Sequence, residues 1–460
     1  MPMSRFQSDE IKGRSVLILG FGREGRSVHK FLSRNYPEIT ISLADEKKID
    51  SHEFPVRKTF FGVDYLDHLN DFDTVVRSPG IPTNNVKLKD YLKKSGWVTT
   101  LTNIFLSLFC DQVIGITGSK GKSTTSALIF EIFKDHFKEV ELVGNIGKPA
   151  LDIFDTITPN TKIVMELSSH QLEDVRYSPQ TAVILRLFPE HLDHFADYAA
   201  YTKSKLNISK YQDADDFLII NENDRELVRL SSSSQAQKHY FSLTKTPVSS
   251  AWAENEQIWM KKTVEIEAVL MQTRDMGLKG KGNLENVLAA VTVACLYYVP
   301  KDKIKRAITK FTGLPHRLEF IGKFIRIEFY NDSLSTVPEA TIHACETLGE
   351  KVQTLILGGL DRKLDQQPLV NFLLAKRHIK NLILFPDTGD IIGSLIENKN
   401  TTLKLFYVSA MSEAVKIAFS ETQPDKICLL SPAAASFNLF KDYKDRGDQF
   451  KKYVSRHGQI

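Results

Sequence analysis

Residues 113–125 read Val-Ile-Gly-Ile-Thr-Gly-Ser-Lys-Gly-Lys-Ser-Thr-Thr. The order is a short apolar strand, a glycine-rich turn and the start of a helix. Such an order suits a triphosphate, because backbone N–H groups at a helix N-terminus curl around phosphate oxygens while Lys122 adds a mobile positive charge. The next hydroxyl, Ser123, stands where a phosphate-bound Mg2+ needs a ligand. Gly118, Gly121, Lys122 and Ser123 complete a Gly-x-x-Gly-Lys-Ser pattern, with Ser119, Lys120 and Thr124 in the same cradle and Ile116 where the longer pattern has its first glycine. The blander reading is a lysine-bearing turn between a strand and a helix, and the surrounding chain decides between the two.

Downstream, Lys162-Ile-Val-Met-Glu166 predicts a buried strand that ends in a carboxylate. A carboxylate at the carboxyl end of a strand in the sheet of a phosphate loop is well placed for Mg2+. The strand predicted over Thr181–Leu187 leads to Glu190, His191, Asp193 and His194, a candidate metal or substrate cluster. Residues 201–210 read as a helix whose Lys203, Lys205 and Lys210 face solvent on charge alone, and 231–237 as a polar surface loop. Alternating apolar and polar residues over 240–275 predict a small antiparallel sheet, and Gly280 to Asn286 cap a helix from Val287 to Tyr298.

Upstream, the strand Ser15–Leu19 enters Gly20-Phe-Gly22-Arg-Glu-Gly25, and a second strand ends at Asp45. That is about the spacing at which an acidic residue meets a ribose hydroxyl in dinucleotide folds, although the same turn holds any diphosphate, including that of a nucleotide sugar. The strand Thr74–Arg77 runs into Ser78-Pro-Gly80-Ile-Pro82, a tight turn able to offer N–H groups to a ligand. From Val352 onward strands and helices alternate once more, which predicts a further parallel α/β unit.

The chain has 460 residues, 42% apolar and 25% charged, which is ordinary for a globular protein and predicts about three domains at ~150 residues each. The 60 basic and 56 acidic residues leave a net charge of +4 with no long basic run, so nothing calls for nucleic acid. Cys110, Cys295, Cys345 and Cys428 lie far apart without a Cys-x-x-Cys pair, which predicts reduced thiols in a cytoplasmic protein. The first ten residues hold no apolar core of a signal peptide, and no stretch approaches the ~20 apolar residues of a membrane span.

Taken in order, these stretches resemble the Mur ligases. The resemblance rests on Gly20 to Gly25, Ser78 to Ile81, Thr117 to Thr125, Gly144-Asn-Ile-Gly147, Glu166-Leu-Ser-Ser169 with Gln171-Leu-Glu173, His191-Leu-Asp193, Asn283-Leu-Glu-Asn286, Leu314 to Glu319, Tyr330-Asn-Asp-Ser333, Gly358-Gly-Leu-Asp361, Leu430-Ser-Pro-Ala433 and Arg446-Gly447. It covers nearly the whole chain. The fold it implies is α/β with three domains: a Rossmann-like domain over 1–101, a central P-loop ATPase-like domain with a mostly parallel sheet over 102–312, and a Rossmann-like domain over 313–460. The implied reaction uses ATP to phosphorylate a carboxylate; the amino group of an amino acid attacks the acyl phosphate, and ADP and phosphate leave. Three domains around one reaction imply closure that excludes water.

By the same resemblance, Lys122, Glu166, His191 and Lys205 are catalytic. Ser123, Glu166, His191 and Lys205 hold Mg2+, Lys205 as a carbamate, which reverses its surface reading. Gly118 to Thr124, Asn283, Asn286, Arg317 and Asp332 bind ATP. Gly22, Arg23, Glu24, Asp45, Ser78, Gly80, Asn145 and His191 hold a UDP-linked substrate, UDP-N-acetylmuramoyl-L-alanine, in peptidoglycan precursor synthesis. Thr336, Arg362, Ser436, Phe437 and Tyr443 receive glutamate, and the guanidinium of Arg362 suits a carboxylate because it can grip it with two hydrogen bonds. The implied protein is a monomer with small-molecule partners and none of nucleic acid or membrane.

Leu334 stands where a lysine is common, Val337 where asparagine is frequent, Gly282 where a histidine usually precedes Asn283, and Glu190 and Asn438 where aspartate is usual. These departures leave the phosphate and metal residues intact and fall mostly on the amino-acid pocket. A related amide ligase with another acceptor, such as a pseudomurein-type or folate substrate, and a nucleotide-binding scaffold without turnover are the other readings.

Overall fold

The apolar run Ser15–Leu19, β1, is buried on both faces, as a strand inside a parallel sheet must be. In the computed structural model, which describes residues 8–49, 54–190, 194–261, 267–278, 280–397, 399 and 402–458, the chain forms two compact units, Met1–Phe311 and Thr312–Ile460. In the first unit β1 pairs in parallel with β2 (Thr40–Asp45) and β4 (Thr74–Arg77), and β3 (Thr59–Phe61) and β5 (Trp97–Thr99) add at the edges to give the order β3-β2-β1-β4-β5. Strand order reverses between β1 and β4, so Gly20 and Ser78 face each other across the crevice where such sheets bind ligands.

The second sheet of this unit has nine strands in the order β14-β13-β12-β11-β10-β9-β6-β8-β7. They are β6 (Val113–Thr117), β7 (Val140–Gly144), β8 (Lys162–Glu166), β9 (Thr181–Ile184), β10 (Phe217–Asn221), β11 (Gln237–Ser242), β12 (Ser249–Glu254), β13 (Gln257–Lys261) and β14 (Glu267–Gln272). β6 is flanked by β8 and β9, so the phosphate loop leaves the sheet at its own reversal of strand order. The antiparallel strands expected over 240–275 are present, but they do not form a separate sheet. β12 pairs in parallel with β11, and β13 and β14 continue the same sheet as an antiparallel edge.

Helix Lys281–Leu296 packs against this sheet beside helix Lys122–Lys134. Val287, Leu288, Val291 and Val293 are almost fully buried on it, each contributing about 1.5–3 kcal/mol of apolar transfer. The helix starts six residues earlier than Val287, so Asn283 and Asn286 lie within its first turns rather than in a preceding cap. On the opposite face, helices Arg23–Asn35 and Leu101–Phe109 fill the space towards the first sheet, and Phe31 and Phe109 both meet Phe154 edge-on at 4.9 and 5.9 Å. The two sheets of the first unit therefore share one core.

One segment reinforces that junction. Asp174 takes the buried Arg77 at 2.9 Å, Glu173 accepts from Thr83, and Arg176 reaches Glu10 at 3.1 Å through Nε. Arg77 in turn donates to the Ser78 and Ile81 carbonyls, which fixes the turn that follows β4.

The second unit holds a six-stranded sheet in the order β15-β16-β20-β17-β18-β19, made of β15 (Glu319–Phe324), β16 (Ile327–Asn331), β17 (Val352–Gly359), β18 (Asn381–Asp387), β19 (Lys404–Tyr407) and β20 (Ile427–Leu430). Among the described strands of this sheet, only the β15–β16 pairing is antiparallel. Among the described residues no helix is long and apolar enough to cross a membrane.

Candidate active site

The phosphate loop follows β6 in a shape that only glycine allows at two places. Gly118 has φ +151° and an added Cβ there would lie 2.6 Å from Leu185 Cβ; Gly121 has φ +87° and its Cβ would lie 2.1 Å from Asn286 Oδ1. Expectation placed the neighbouring strand over Thr181–Leu187, but β9 stops at Ile184. From there Leu185 N donates to Thr117 O at 2.9 Å and Arg186 O accepts from Ser119 N at 3.1 Å, so the chain turns to brace the loop. Ser119 Oγ is bonded to the Phe188 carbonyl and amide at 2.8 and 2.9 Å and to Tyr201 OH at 2.9 Å. Lys122 Nζ lies on the Gly118 and Ser119 carbonyls at 2.9 and 2.8 Å, coiled back over the cradle it is expected to serve. Ser123 is buried one residue on, and Asn286 Nδ2 donates to Asn283 Oδ1 at 3.2 Å, so the structure brings both asparagines to the loop.

Glu166 ends β8 beside Ile116 of β6 and is 1% exposed. Its Oε1 accepts from Asn145 Nδ2 at 3.0 Å, while its buried Oε2 has no hydrogen-bond partner among the described residues. A buried carboxylate oxygen left without a donor is costly unless a cation completes it. With the Ser123 hydroxyl close in sequence to the loop lysine, the donors are hard oxygens of the kind Mg2+ prefers.

Lys205 corrects the solvent-facing reading of its helix. The helix spans Tyr198–Leu206, capped by Asp197 through Ala200 N at 2.7 Å, and ends in a 3-10 turn, Asn207–Ser209. Lys205 is 1% exposed; its Nζ reaches Thr117 Oγ1 at 3.5 Å and lies 4.9 Å over the ring of Tyr201. Burial, followed by the charge of Lys122, holds its pKa well below the usual lysine range, against the opposing pull of Glu190 and Glu166. Such an amine loses its proton readily and becomes a nucleophile. Lys203 is exposed and Lys210 is exposed, as expected.

The cluster expected at 190–194 does not assemble from its described members. Glu190 accepts from Tyr201 OH at 3.4 Å, whereas His194 Nε2 lies 3.2 Å from Glu173 Oε2 and its ring stands 4.2 Å from that of His170. His191 and Asp193 lie outside the described residues. Among the described residues no group of three His, Cys, Asp or Glu side chains comes together as a metal site.

At the first sheet, Asp45 is committed to the turn: its Oδ2 accepts from Phe21 N at 2.8 Å and its Oδ1 from Lys47 N at 2.9 Å. Ser78 Oγ donates to Gly20 O at 2.8 Å, while a Cβ on Gly22 or Gly80 would meet nothing within 4 Å, so their backbone is open to a ligand. Arg23 donates to Gly147 O at 2.8 Å. Glu24 Oε1 accepts from Gln171 Nε2 at 2.7 Å, and burial raises its pKa above the usual carboxylate range. Gln171 also closes a capping box with Ser168, two residues beyond Glu166. The glycine turn is thereby tied to the strand end that carries Glu166. Tyr201 and the Arg77–Asp174 pair were not singled out from sequence; Gln171 entered only as part of a matching motif, although the Ser-x-x-Gln spacing was a local signal for its capping role.

In the second unit Asp332 is 3% exposed and takes Leu318 N at 3.1 Å and Ser431 Oγ at 2.8 Å. Arg317 precedes Leu318 in the same turn. Thr336, Arg362 and Ser436 lie on the loops that follow β16, β17 and β20, adjacent strands of the sheet, with Ser436 buried, Arg362 exposed and Phe437 67% exposed. Tyr443 opens the last helix, and its carbonyl accepts from Ser333 Oγ at 2.8 Å.

Against known proteins, the Mur ligase middle domain matches residues 116–294. The UDP-N-acetylmuramoylalanine–D-glutamate ligase of Acetivibrio thermocellus is 32% identical over 457 residues, 97% of each chain. That of a Geobacillus species is 34% identical over 445 residues, 95% of this chain and 96% of its own. Among solved structures, the MurF ligase of Thermotoga maritima in complex with ADP aligns over 98% of this chain and 97% of its own with a TM-score of 0.51 at 15% identity. The UDP-N-acetylmuramate-alanine ligase of the same organism aligns over 97% and 100% with a TM-score of 0.53 at 15% identity. These structures share the fold.

Proposed function

The chain belongs to the Mur ligase family, and on that premise we propose that it joins D-glutamate to UDP-N-acetylmuramoyl-L-alanine at the expense of ATP. It is an ATP-dependent ligase of peptidoglycan precursor synthesis. The observation that carries the reading within the structure is the meeting of the phosphate loop, the buried oxygen of Glu166 that has no hydrogen-bond partner among the described residues, and the buried, acidified Lys205 at the ends of three neighbouring strands or their helices.

In this reading the loop N–H groups and Lys122 receive the ATP phosphates, with Lys122 leaving its two loop carbonyls to do so. Asn283 and Asn286 border the adenine side, and Arg317 and Asp332 serve the phosphates and ribose. The glycine turn, with Gly22, Arg23, Glu24, Asp45, Ser78 and Gly80, holds the uridine diphosphate, and Asn145 and His191 the muramoyl-alanine end. The muramoyl-alanine carboxylate takes the γ-phosphoryl group; the amine of glutamate then attacks the acyl carbon and phosphate departs. Ser123, Glu166, His191 and a carbamate on Lys205 would hold Mg2+, which when bound screens the charge gathering on the transferred phosphoryl group. Thr336, Arg362, Ser436, Phe437 and Tyr443 orient the amino acid.

A second reading, L-glutamate as the acceptor, draws on Leu334 and Val337, both more than a third exposed where lysine and asparagine are usual. Phosphate release from ATP, Mg2+ and UDP-N-acetylmuramoyl-L-alanine, measured with D- and with L-glutamate, separates the two. Release with D-glutamate alone is expected; preference for L-glutamate selects the second reading, and no release above the blank with either refutes both.

A further inference from the structure

The last helix, Tyr443–Gly458, buries an arginine completely. Arg446 is 0% exposed; its Nε donates to Ser333 Oγ at 3.0 Å, and its Nη2 to Ser333 O at 2.9 Å and Ala434 O at 3.0 Å. The remaining nitrogen, Nη1, is buried without a hydrogen-bond partner among the described residues and lies against Gly359, where an added Cβ would come within 3.1 Å of it. Every acceptor is neutral, and no described carboxylate pairs with the guanidinium. Burial lowers its pKa to about 9.

A buried cation without a counter-charge is expensive, and replacing it by a neutral residue of similar volume is commonly harmless or stabilising. If tying loops together were its whole task, a neutral donor would serve at lower cost. Its position supplies a better reason. It is hydrogen-bonded to the loops that follow β16 and β20 and lies against Gly359, the last residue of β17, and each contact precedes a candidate amino-acid residue by two or three positions: Ser333 precedes Thr336, Gly359 precedes Arg362, and Ala434 precedes Ser436. Tyr443 lies one turn earlier on the helix that bears Arg446.

We propose that Arg446 is a positioning residue for the incoming amino acid, a buried cation whose uncancelled charge, grip on two loops and seat against the end of β17 draw the carboxylate-bearing acceptor into the site they form. The proposal rests on the ligase reading above. It gives the pocket a fixed positive charge where Leu334 has removed the usual lysine. The charge acts through the loops, since the guanidinium itself is sealed from solvent.

The test uses the full chain and compares wild type with Arg446→Lys, which keeps a cation, and Arg446→Met, which keeps volume without charge. KM is measured separately for glutamate, ATP and the UDP-linked substrate. In Arg446→Met the KM for glutamate is expected to rise on the order of tenfold, with the other two within about twofold, and Arg446→Lys is expected to recover most of that rise. Equal effects of the two substitutions, or a common shift of all three constants, would overturn the proposal in favour of a plain scaffold role. Ser333→Ala, which removes the Nε acceptor and leaves the charge in place, covers a failure of Arg446→Met to fold: a rise confined to the glutamate KM supports the proposal, and no change or a common change overturns it. A wild-type enzyme inactive with glutamate refutes the ligase reading instead, and the same comparison on the amino acid it does use then decides the role of Arg446.

Discussion

Asp332→Asn is expected to stabilise the second unit in a pH-dependent way. The Asp332 carboxyl is raised from 3.8 to about 6, chiefly by burial, against the pull of hydrogen bonds from Ser335, Ser431 and Leu318 and of the Arg317 charge. The difference, about 2.2 units at 1.36 kcal/mol each, is roughly 3 kcal/mol. Because the folded unit holds this proton more tightly than the unfolded chain, the group contributes fully below the unfolded value. That contribution is lost as pH rises through about 6. Asparagine does not titrate and can still accept from Leu318 N. The stability of Asp332→Asn relative to wild type should therefore grow by about 3 kcal/mol between about pH 3 and pH 8, a shift of roughly 2–4 °C in Tm per kcal/mol. Urea unfolding of both proteins across that range, with tryptophan-independent circular dichroism as the readout and the slope m checked for constancy, measures it. A difference that is flat across the range, or that shrinks as pH rises, refutes the reasoning.

Three further outcomes follow from the first unit. Gly121→Ala combines φ +87° with a Cβ 2.1 Å from Asn286 Oδ1, so it should cost about 1–2 kcal/mol in thermal unfolding and raise the KM for ATP. Asp174→Ala, which strands the buried Arg77 cation, should destabilise by about 3–5 kcal/mol, whereas Arg77→Met, which removes the charge and keeps the volume, should cost less; the opposite ranking in urea melts would count against the clamp. Lys205→Met should leave the unfolding midpoint unchanged or raise it while abolishing phosphate release, and a strongly destabilised variant would show that the amine serves the fold.

The residues that sequence placed well carry local signals. The phosphate loop needs glycine at fixed offsets because its backbone must turn through positive φ, and that requirement is written in consecutive residues. Glu166 was legible because an apolar strand ending in an acid is rare enough to notice. Lys205 was misread on charge because nothing within its helix says that the end of β6 lies over it; only the resemblance pointed inward. Glu190 and His194 are four residues apart in sequence, yet one turns to Tyr201 and the other to Glu173, a choice made by contacts more than ten residues away. The antiparallel strands after residue 240 were visible in their alternation, but alternation cannot reveal that β12 finds β11 as its neighbour. The deep burial of Arg77, Asp332 and Arg446 was invisible for the same reason, since a single charged residue reads as surface until its distant partners are known.

The charges around Lys205 lead to one more expected outcome. As an ammonium, Lys205 is opposed by burial and by Lys122 and favoured by Glu190 and Glu166. A carbamate on the same nitrogen reverses every one of the pairwise signs: Lys122 becomes its attractive neighbour, and Glu190 and Glu166 become repulsive. Carbamylation in a site with two carboxylates is then self-limiting, unless a divalent cation stands among the three anions, where Glu166 keeps an oxygen without a hydrogen-bond partner among the described residues. Carbamate formation and Mg2+ binding must accordingly strengthen each other, and linkage makes the coupling equal in both directions. With 13C-labelled bicarbonate, the carbamate signal of the wild-type protein should grow as Mg2+ is added, and the apparent Kd for Mg2+ should fall by the same factor when bicarbonate is present. Glu166→Gln should weaken the coupling, because it removes the anion that draws the cation in. A carbamate signal indifferent to Mg2+ would show that Lys122 alone stabilises the modified lysine and that the orphaned oxygen of Glu166 serves another purpose.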